Sequence, residues 1–304
     1  VTFLKARGYW VRGVDLKHPE FAPTDADEFE LLDLRRWDAC LQATRGVDEV
    51  YALAADMGGM GFISSNHAQI LRNNALINLH TIEAARINGV ARYFYTSSAC
   101  VYPEYLQMET NVTPLKEEDV YPAQPQDAYG WEKLIGEHLC HHYREDFGLE
   151  TRVVRFHNIF GPLGTWEGGR EKAPAAMCRK VAVAKLTGNP TVEIWGDGEQ
   201  TRSFCYVTDL IDGLVAMMAS DDAVIGPINL GNPGEFTIAE LAAEVIRQVG
   251  TDPGITYHPL PTDDPVRRQP DITRAKAILG WQPEVPLAEG LTRTIDYFRG
   301  SLPD

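Results

Sequence analysis

The stretch Ala91-Arg-Tyr-Phe-Tyr-Thr-Ser-Ser98 decides the fold of this chain. Its apolar and aromatic residues lead into small hydroxyl side chains, as in a buried strand that ends at the ligand-binding edge of an open α/β sheet. Further along stands Tyr129-Gly-Trp-Glu-Lys133. Positions four apart on a helix share one face, so we expect the Tyr129 and Lys133 side chains to project together.

This combination predicts hydride chemistry on an alcohol. The Lys133 ammonium would favour the phenolate and lower the pKa of Tyr129, which would make Tyr129 a base for the alcohol proton. Ser98 would donate a hydrogen bond to the same oxygen. A Tyr-x-x-x-Lys spacing alone arises by chance, so the prediction depends on the strand end that precedes it.

The composition is that of a soluble globular protein. The chain has 304 residues, of which 44% are hydrophobic and 23% are charged, enough for a large core and two lobes. No apolar run is long enough to span a bilayer and the amino terminus shows no signal-peptide pattern, so we expect a cytoplasmic location and no membrane partner.

The net charge and the cysteine content argue against further kinds of partner and site. The formal net charge of −15 argues against nucleic acid and acidic membrane surfaces as partners. The five cysteines are odd in number and lack metal-ligand spacing. We therefore expect no metal site and mostly reduced, structural thiols.

Alternating strand and helix patterns predict a doubly wound α/β fold. Residues 9–15, 47–55 and 92–97 are predicted to be strands, and residues 75–88 repeat apolar side chains at helical spacing between the last two strands. This β-α-β order predicts a parallel, Rossmann-like sheet with right-handed crossovers.

A smaller α+β lobe is expected to cover the carboxyl edge of that sheet. The larger lobe is predicted to comprise residues 1–162 and 203–225, and the smaller lobe residues 163–202 and 226–304. The change in composition begins at three glycines that mark a long loop: Gly164, Gly168 and Gly169.

Asp15 ends its strand where a carboxylate can accept hydrogen bonds from both hydroxyls of an adenine ribose, which favours NAD over NADP. Asp33 could touch the adenine amino group, or it could be a solvated loop acid. No G-x-x-G-x-x-G precedes Asp15 to bind the pyrophosphate. We expect that numbering starts after a segment of about two dozen residues that carries this loop and the first, central strand.

The order of Asp15, Ala54-Ala55, Ser97-Ser98, Tyr129-x-x-x-Lys133 and Arg155-x-x-Asn158 resembles the extended short-chain dehydrogenase/reductase family that acts on nucleotide sugars. A group within it, the 3,5-epimerases of GDP-linked sugars, is similar in further segments. These are Asp56-Met-Gly-Gly-Met-Gly61, Ser97-Ser-Ala-Cys100, Gly168-Gly-Arg-Glu-Lys-Ala-Pro174 and Trp195-Gly-Asp-Gly-Glu-Gln-Thr-Arg-Ser-Phe204.

The resemblance implies an NAD-dependent isomerase and a homodimer. The larger lobe would bind NAD and the smaller lobe the nucleotide sugar. Transient oxidation at carbon 4 would acidify the hydrogens on carbons 3 and 5. Cys100 would be the base and Lys172 the acid on opposite faces of the ring. Alternatively, Cys100 could be a small buried hydrophobic residue, and Lys172 could be a solvated charge on a loop.

The resemblance also implies binding residues. The cofactor set is Asp15, Asp33, Leu53, Ala54, Ala55, Tyr129 and Lys133. The substrate set is Gly58, Ser98, Ala99, Cys100, Tyr129, Asn158, Glu171, Lys172, Ala173, Lys180, Gln200, Thr201, Arg202 and Arg267. Arg267 or its neighbour Arg268 would clamp the diphosphate, and the spacing leaves that choice open. Asn158 could instead cap a turn, and Lys180 could be a solvent-facing helix lysine.

Two alternative functions stay open. A nucleotide-sugar 4-epimerase or 4,6-dehydratase would use the same Ser98, Tyr129 and Lys133, although a dehydratase usually presents Asp-Glu where Ala99-Cys100 stands. A non-catalytic sensor of NAD or a nucleotide sugar would have no need of these three side chains, but the absent phosphate loop keeps that hypothesis open.

Overall fold

The computed structural model describes residues 1–63, 65–108, 113–166, 168, 170–188, 191–259 and 267–301. Gly169, one of the glycines predicted to mark a loop, lies outside the described residues. The strands are β1 (Arg12–Asp15), β2 (Glu28–Leu31), β3 (Glu49–Ala52), β4 (Arg92–Ser98), β5 (Glu150–Phe156), β6 (Ile159–Phe160), β7 (Thr191–Trp195), β8 (Thr201–Ser203), β9 (Cys205–Tyr206), β10 (Ile228–Leu230), β11 (Glu235–Thr237), β12 (Gly254–His258) and β13 (Arg267–Arg268).

The described α-helices connect and cover these strands. They are α1 (Thr2–Lys5), α2 (Trp37–Ala43), α3 (Met60–Ile63), α4 (His67–Ile87), α5 (Ala128–Phe147), α6 (Ala173–Thr187), α7 (Val207–Met218), α8 (Ile238–Val249), α9 (Thr273–Leu279) and α10 (Leu287–Ser301). None of the described helices is long and apolar enough to cross a membrane.

A parallel sheet with strand order β10-β5-β4-β3 forms the centre of the molecule. This confirms the predicted α/β class, and β1, β3 and β4 coincide with the segments predicted as strands, with β4 ending one residue later. The predicted helix at 75–88 is the second half of α4, which begins earlier at His67. Strands β1 and β2 form a separate parallel pair that, among the described residues, is not hydrogen-bonded to the central sheet.

Alternate residues of β4 build the cores on the two faces of the central sheet. Tyr93 and Tyr95 pack with Ile82 of α4 and Cys140 of α5. Phe94 points to the opposite face, in a cluster that contains Leu210 of α7. Helix α5 can approach β4 closely because residue 136 is glycine, where a Cβ would lie 2.0 Å from the Tyr95 hydroxyl oxygen.

A third core lies beneath helices α6, α8 and α10. Its buried members include Val181, Leu241, Val245, Leu291 and Ile295. Two small sheets accompany these helices, namely the parallel pair of β7 and β12 and the three strands β11-β8-β13. The register of β13 on β8 places Arg268 beside Arg202, which brings two distant parts of the chain together.

The structure corrects one predicted lobe boundary. Strand β10 pairs in parallel with β5 of the central sheet, whereas the sequence places residues from 226 onward in the smaller lobe. Ile228, Leu230 and Trp281 join the buried cluster that contains Phe94. The strand is too short to show a periodic pattern, so its place in the large sheet could not be predicted from the sequence.

Candidate active site

The start of α5 is held against the turn that follows β4. The Asp127 carboxylate accepts a hydrogen bond of 2.7 Å from the Gly130 amide and caps the helix. A Cβ at residue 130 would lie 2.2 Å from the Cys100 carbonyl oxygen, so only glycine permits this approach. Tyr129 is thereby placed next to the turn that carries Ser98 and Cys100.

Ser98 links the turn to the phenol. Its hydroxyl oxygen accepts a hydrogen bond of 3.2 Å from the Cys100 amide. The hydroxyl also hydrogen-bonds the buried Tyr129 side chain. The Ser98 hydroxyl therefore lies beside the Tyr129 phenol.

The direction of the Tyr129 pKa shift differs from the prediction. Burial raises the pKa of Tyr129 well above its ordinary value, and negative charge at Cys100 and Glu132 acts in the same direction. The Ser98 hydrogen bond opposes this shift. The Lys133 ammonium lies 5.5 Å from the centre of the Tyr129 ring and 3.8 Å from Glu132. The net shift of the Tyr129 pKa is therefore upward, opposite to the predicted direction, because desolvation dominates.

A buried polar network surrounds Lys133. Glu132 accepts hydrogen bonds from Asn74 at 2.9 Å and from Asn78 at 2.8 Å, both on α4. Asn74 also accepts from the Asp56 amide at 2.6 Å and donates to the Asp56 carbonyl at 3.1 Å. Sequence reasoning missed these residues, although a glutamate and two asparagines on otherwise apolar helix faces were an available signal.

Cys100 contacts Arg268 and packs against the buried cluster that contains Tyr129. An Nη1 atom of Arg268 lies 3.6 Å from the Cys100 sulfur. Burial lowers the pKa of Lys172, and the charges of Cys100, Arg268 and Asp127 also act on that ammonium. Cys100 acts electrostatically on both Lys172 and Tyr129. The thiol and the phenol therefore lie close together.

The two candidate arginines point to different partners. Arg267 donates to Glu235 at 2.6 Å and to Gln269 at 3.0 Å. Arg268 is 8% exposed. Its Nε donates to Gln107 at 2.6 Å, and its Nη1 lies at the Cys100 sulfur. Of the two, Arg268 is the one that contacts Cys100, whereas Arg267 forms an ion pair with Glu235.

The glycine-rich segment after β3 touches the loop that carries Lys172. The Gly59 amide donates to the Arg170 carbonyl at 3.1 Å. A Cβ at Gly59 would lie 2.7 Å from the Glu171 carbonyl oxygen, whereas a Cβ at Gly58 would meet only the Phe62 side chain at 3.0 Å. The close backbone approach to the Lys172 loop occurs at Gly59, a residue we did not name.

Two predicted substrate residues carry buried polar atoms without a hydrogen-bond partner. These atoms are the Asn158 Nδ2 and the Gln200 Oε1. Asn158 also holds a positive φ of 44°, which asparagine tolerates better than most residues. Both atoms are therefore open to a partner that the described residues do not supply, such as an ordered water or a ligand.

The other predicted substrate residues are already engaged with neighbours. Lys180 donates to the Glu193 carbonyl at 2.9 Å, and Thr201 to Glu235 at 3.0 Å. Glu171 accepts from Arg179 at 2.9 Å, and Arg202 donates to the Thr201 carbonyl at 2.8 Å. Ala99 is buried in the turn after β4, and Ala173 is the first residue of α6.

The carboxyl ends of β1, β2 and β3 present residues that fit NAD. Asp15 is exposed at the end of β1, where its carboxylate can meet ribose hydroxyls. Leu53 and Ala54 are exposed just after β3, and Ala55 is half-buried. Asp33 accepts two hydrogen bonds from the Arg35 guanidinium, at 2.8 and 2.6 Å, which lower its pKa. Its carboxylate is therefore already paired with Arg35.

The five cysteines are free thiols. Cys100 is half-buried and the other four are buried. The described residues also contain one cluster with metal-ligand chemistry, formed by His141, His142 and Glu145 on the exposed surface of α5. None of these three was named as a site residue.

Comparison with known proteins gives a consistent picture. Residues 1–231 match the model of the NAD dependent epimerase/dehydratase family. The chain is 50% identical to GDP-mannose 3,5-epimerase 1 of Oryza sativa subsp. japonica over 96% of this chain and 75% of that protein. It is 49% identical to GDP-mannose 3,5-epimerase of Arabidopsis thaliana over 97% of this chain and 76% of that protein.

A solved structure supports the fold. The structure of UDP-glucose 4-epimerase from Thermus thermophilus in complex with NAD superposes with a TM-score of 0.84 at 25% identity. The match covers 99% of this chain and 94% of that one.

Proposed function

The chain belongs to the NAD-dependent epimerase/dehydratase family, and on that premise we propose that it catalyses the 3,5-epimerisation of GDP-mannose. The reaction proceeds by transient oxidation at carbon 4, proton exchange at carbons 5 and 3, and re-reduction to GDP-L-galactose, with GDP-L-gulose as the 5-epimer. The observation that supports this proposal is the approach of the Arg268 guanidinium to the Cys100 sulfur, which packs against the buried cluster that contains Tyr129.

The chemistry explains why this arrangement is needed. The hydrogens on carbons 3 and 5 of a hexose are not acidic while carbon 4 carries a hydroxyl. A ketone at carbon 4 acidifies both neighbours, since each carbanion is then an enolate. NAD, when bound, supplies the acceptor and later the donor of the carbon-4 hydride, so the overall reaction involves no net redox change.

Tyr129 moves the proton of the carbon-4 hydroxyl. The phenol takes this proton during oxidation and returns it during reduction, while Ser98 orients the shared oxygen. Because the pKa of Tyr129 is raised in the ligand-free protein, the resting phenol is protonated at neutral pH. Its action as a base therefore requires added positive charge in the loaded site.

Cys100 and Lys172 exchange the ring protons. The Cys100 thiolate takes a proton from carbon 5 or 3 and leaves the electron pair in the enolate, and the Lys172 ammonium protonates the opposite face. Burial lowers the pKa of Lys172, which makes its ammonium a better proton donor near neutral pH. Arg268 lies at the sulfur, where it can stabilise negative charge during the exchange.

The substrate set extends from this site to β8. Asn158 and Gln200 offer unpartnered polar atoms, and the register of β13 places Arg202 beside Arg268. We assign NAD to the central-sheet part of the chain and the GDP-sugar to the part built on α6 and β8.

We further propose that the protein is a homodimer located in the cytoplasm. The paired helices α4 and α5 expose large apolar side chains that a second copy of the chain can cover. These are Leu71, Leu79, Ile87, Trp131, Ile135 and Phe147, each between 39% and 55% exposed.

Incubation of the protein with GDP-mannose and NAD in deuterated water tests the proposed reaction. We expect solvent deuterium at both carbon 3 and carbon 5 by mass analysis of the sugar. A 4-epimerase would label neither carbon, and a sensor would leave the sugar unchanged. Either of those results would contradict the proposal.

The Cys100→Ala variant tests the assigned base. We expect it to lose exchange at both carbons while it retains NAD binding. Cys40→Ala is the matched control, since it removes a buried thiol on α2 and should leave exchange intact. Undiminished exchange in Cys100→Ala would exclude Cys100 as the base.

A further inference from the structure

Glu132 is a buried carboxylate next to Lys133, the lysine of the Tyr-x-x-x-Lys motif. Both Glu132 and Lys133 are 2% exposed. Burying a carboxylate or an ammonium costs several kcal/mol unless each charge has partners. The surroundings of this pair therefore determine whether both groups stay charged.

The Glu132 carboxylate is fixed at both oxygens. Asn74 donates to Oε1 at 2.9 Å and Asn78 to Oε2 at 2.8 Å. Asn78 also donates to the Tyr95 hydroxyl at 3.2 Å, which ties the asparagine to the central sheet. The amides of α4 therefore hold the carboxylate in one orientation.

The Lys133 ammonium lies between this carboxylate and two aromatic rings. Its Nζ atom is 3.8 Å from Glu132 Oε1, 5.1 Å from the centre of the Tyr95 ring and 5.5 Å from that of Tyr129. Neither ring carries a full charge when its hydroxyl is protonated. Among the described residues, Glu132 is the carboxylate that lies within ion-pair distance of Lys133.

We propose that Glu132 is a positioning residue for catalysis: its carboxylate, held by Asn74 and Asn78, keeps the Lys133 ammonium charged and in place beside Tyr129, and so sets the pH range of proton transfer. The inference rests on the proposed role of Tyr129 in carbon-4 oxidation. It assigns Glu132 no contact with the substrate.

Other groups also face this pair. Asp127, Tyr129 and Cys140 belong to α5 or its cap, Tyr95 to β4, and Cys100 to the turn after β4. Helix α4 contributes the neutral amides of Asn74 and Asn78. Each of these groups is unchanged when Glu132 alone is replaced, so a shift in titration reports on Glu132.

The two pKa values affected by Glu132 move in the same direction. Burial lowers the pKa of Lys133, and the Glu132 charge opposes this. Burial raises the pKa of Tyr129, and the Glu132 charge adds to this after that of Cys100. Removal of the carboxylate charge therefore lowers both pKa values, so that both titrations occur at lower pH.

The Glu132→Gln variant removes the charge and keeps the shape. The side-chain amide of Asn78 can rotate to accept from the new amide group. We expect the titrations that Tyr129 and Lys133 contribute to the pH profile of kcat/KM to move down by about one pH unit. In the protein without cofactor or substrate, NMR of lysines labelled at the ε position should show the Lys133 signal, identified by its loss in Lys133→Arg, titrating about one unit lower.

Two further variants separate charge from structure. Glu145→Gln removes one exposed carboxylate from the same helix and should shift neither the pH profile nor the NMR titration. Glu132→Asp keeps the charge on a shorter side chain. Its pH profile of kcat/KM should keep the wild-type pKa values, while kcat/KM itself is reduced.

An unshifted profile and unshifted NMR titration in a folded Glu132→Gln protein would overturn the proposal, even if the rate falls. If that variant does not fold, Asn78→Ala replaces it: loss of one donor to the carboxylate should lower the Lys133 titration, and an unchanged titration would overturn the proposal. A wild-type protein without epimerisation would instead contradict the proposed function, and the NMR titration would still test Glu132.

Discussion

An Nη1 atom of Arg268 lies 3.6 Å from the sulfur of Cys100, although 168 positions separate the two residues in the chain. Strand β13 brings Arg268 there by pairing with β8, and Gln107 holds the rest of the guanidinium at 2.6 Å. A guanidinium in this place can stabilise a negative charge on the sulfur or on a nearby enolate.

Replacement of Arg268 should therefore impair proton exchange more than binding. For Arg268→Met we expect deuterium incorporation at carbons 3 and 5 to fall on the order of 100-fold, because a preorganised cation at the reacting centre is lost. The matched control is Arg267→Met, which removes the neighbouring arginine and its ion pair with Glu235. An equal loss in the control would return the assignment to Arg267.

Lys172 should impose an alkaline limit on reprotonation. Its pKa is lowered by burial, so the ammonium that donates the proton is lost as pH rises through a value below the ordinary 10.5. Product formation in the wild type should decline over that range. In Lys172→Arg the guanidinium stays protonated, so the decline attributable to this group should vanish while the rate falls at least about tenfold.

The matched control for Lys172 is Lys185→Arg on the same helix. Lys185 donates to the Val249 carbonyl at 2.7 Å and is expected to leave the pH profile unchanged. An alkaline decline that persists in Lys172→Arg would show that another group supplies the proton.

Gly130 should be required for stability as well as for the site. In Gly130→Ala the new Cβ would meet the Cys100 carbonyl oxygen at 2.2 Å, and neither backbone can yield easily. We expect a loss of about 3 kcal/mol in the free energy of unfolding, measured with urea. Gly164→Ala is the control, since its nearest neighbour would be an ordinary contact at 3.6 Å. Equal stability of the two variants would contradict the close approach of α5 to the turn.

His157 should make the fold sensitive to acid. It is fully buried, and burial lowers its pKa to about 3. Its Nε2 donates to the Asn229 Oδ1 at 3.0 Å, an oxygen that also accepts from Tyr102 at 2.7 Å. The depressed pKa means that the unfolded chain binds a proton near pH 6.5 and the folded protein does not, so this contribution to stability is full above pH 6.5 and declines as pH falls toward 3.

From pH 7 to pH 5, the free energy of unfolding should fall by about 2 kcal/mol more in the wild type than in His157→Gln, measured by urea titration at each pH. The glutamine can still donate to Asn229, so the fold should be retained. His67→Gln, at an exposed position on α4, should keep the pH dependence of the wild type. The same pH dependence in His157→Gln would refute the assignment.

Local patterns were sufficient for the fold class. The apolar run that ends in Ser97 and Ser98 became β4 at the centre of the parallel sheet, and the helical spacing of Tyr129 and Lys133 became α5. The placement of β10 was not predictable, because a three-residue strand carries no period and joins the sheet only through long-range pairing.

The residue types of the candidate site could likewise be predicted from the sequence. Ser98, Cys100, Tyr129, Lys133 and Lys172 were all named from motifs or from the family resemblance, and Cys100, Tyr129 and Lys133 lie close together in the fold. Which of Arg267 and Arg268 contacts Cys100 could not be predicted, since adjacent residues in a strand face opposite sides and the pairing of β13 decides which side meets Cys100.

The sequence by itself determined the alternation of strand and helix and the identity of the reactive side chains, because both depend on local spacing and side-chain chemistry. The tertiary structure alone decided the direction of the Tyr129 pKa shift, the pairing of Lys133 with Glu132 and the contact of Gly59 with the Lys172 loop. Burial and charge act through space, so these properties depend on which distant segments the fold brings within a few ångströms.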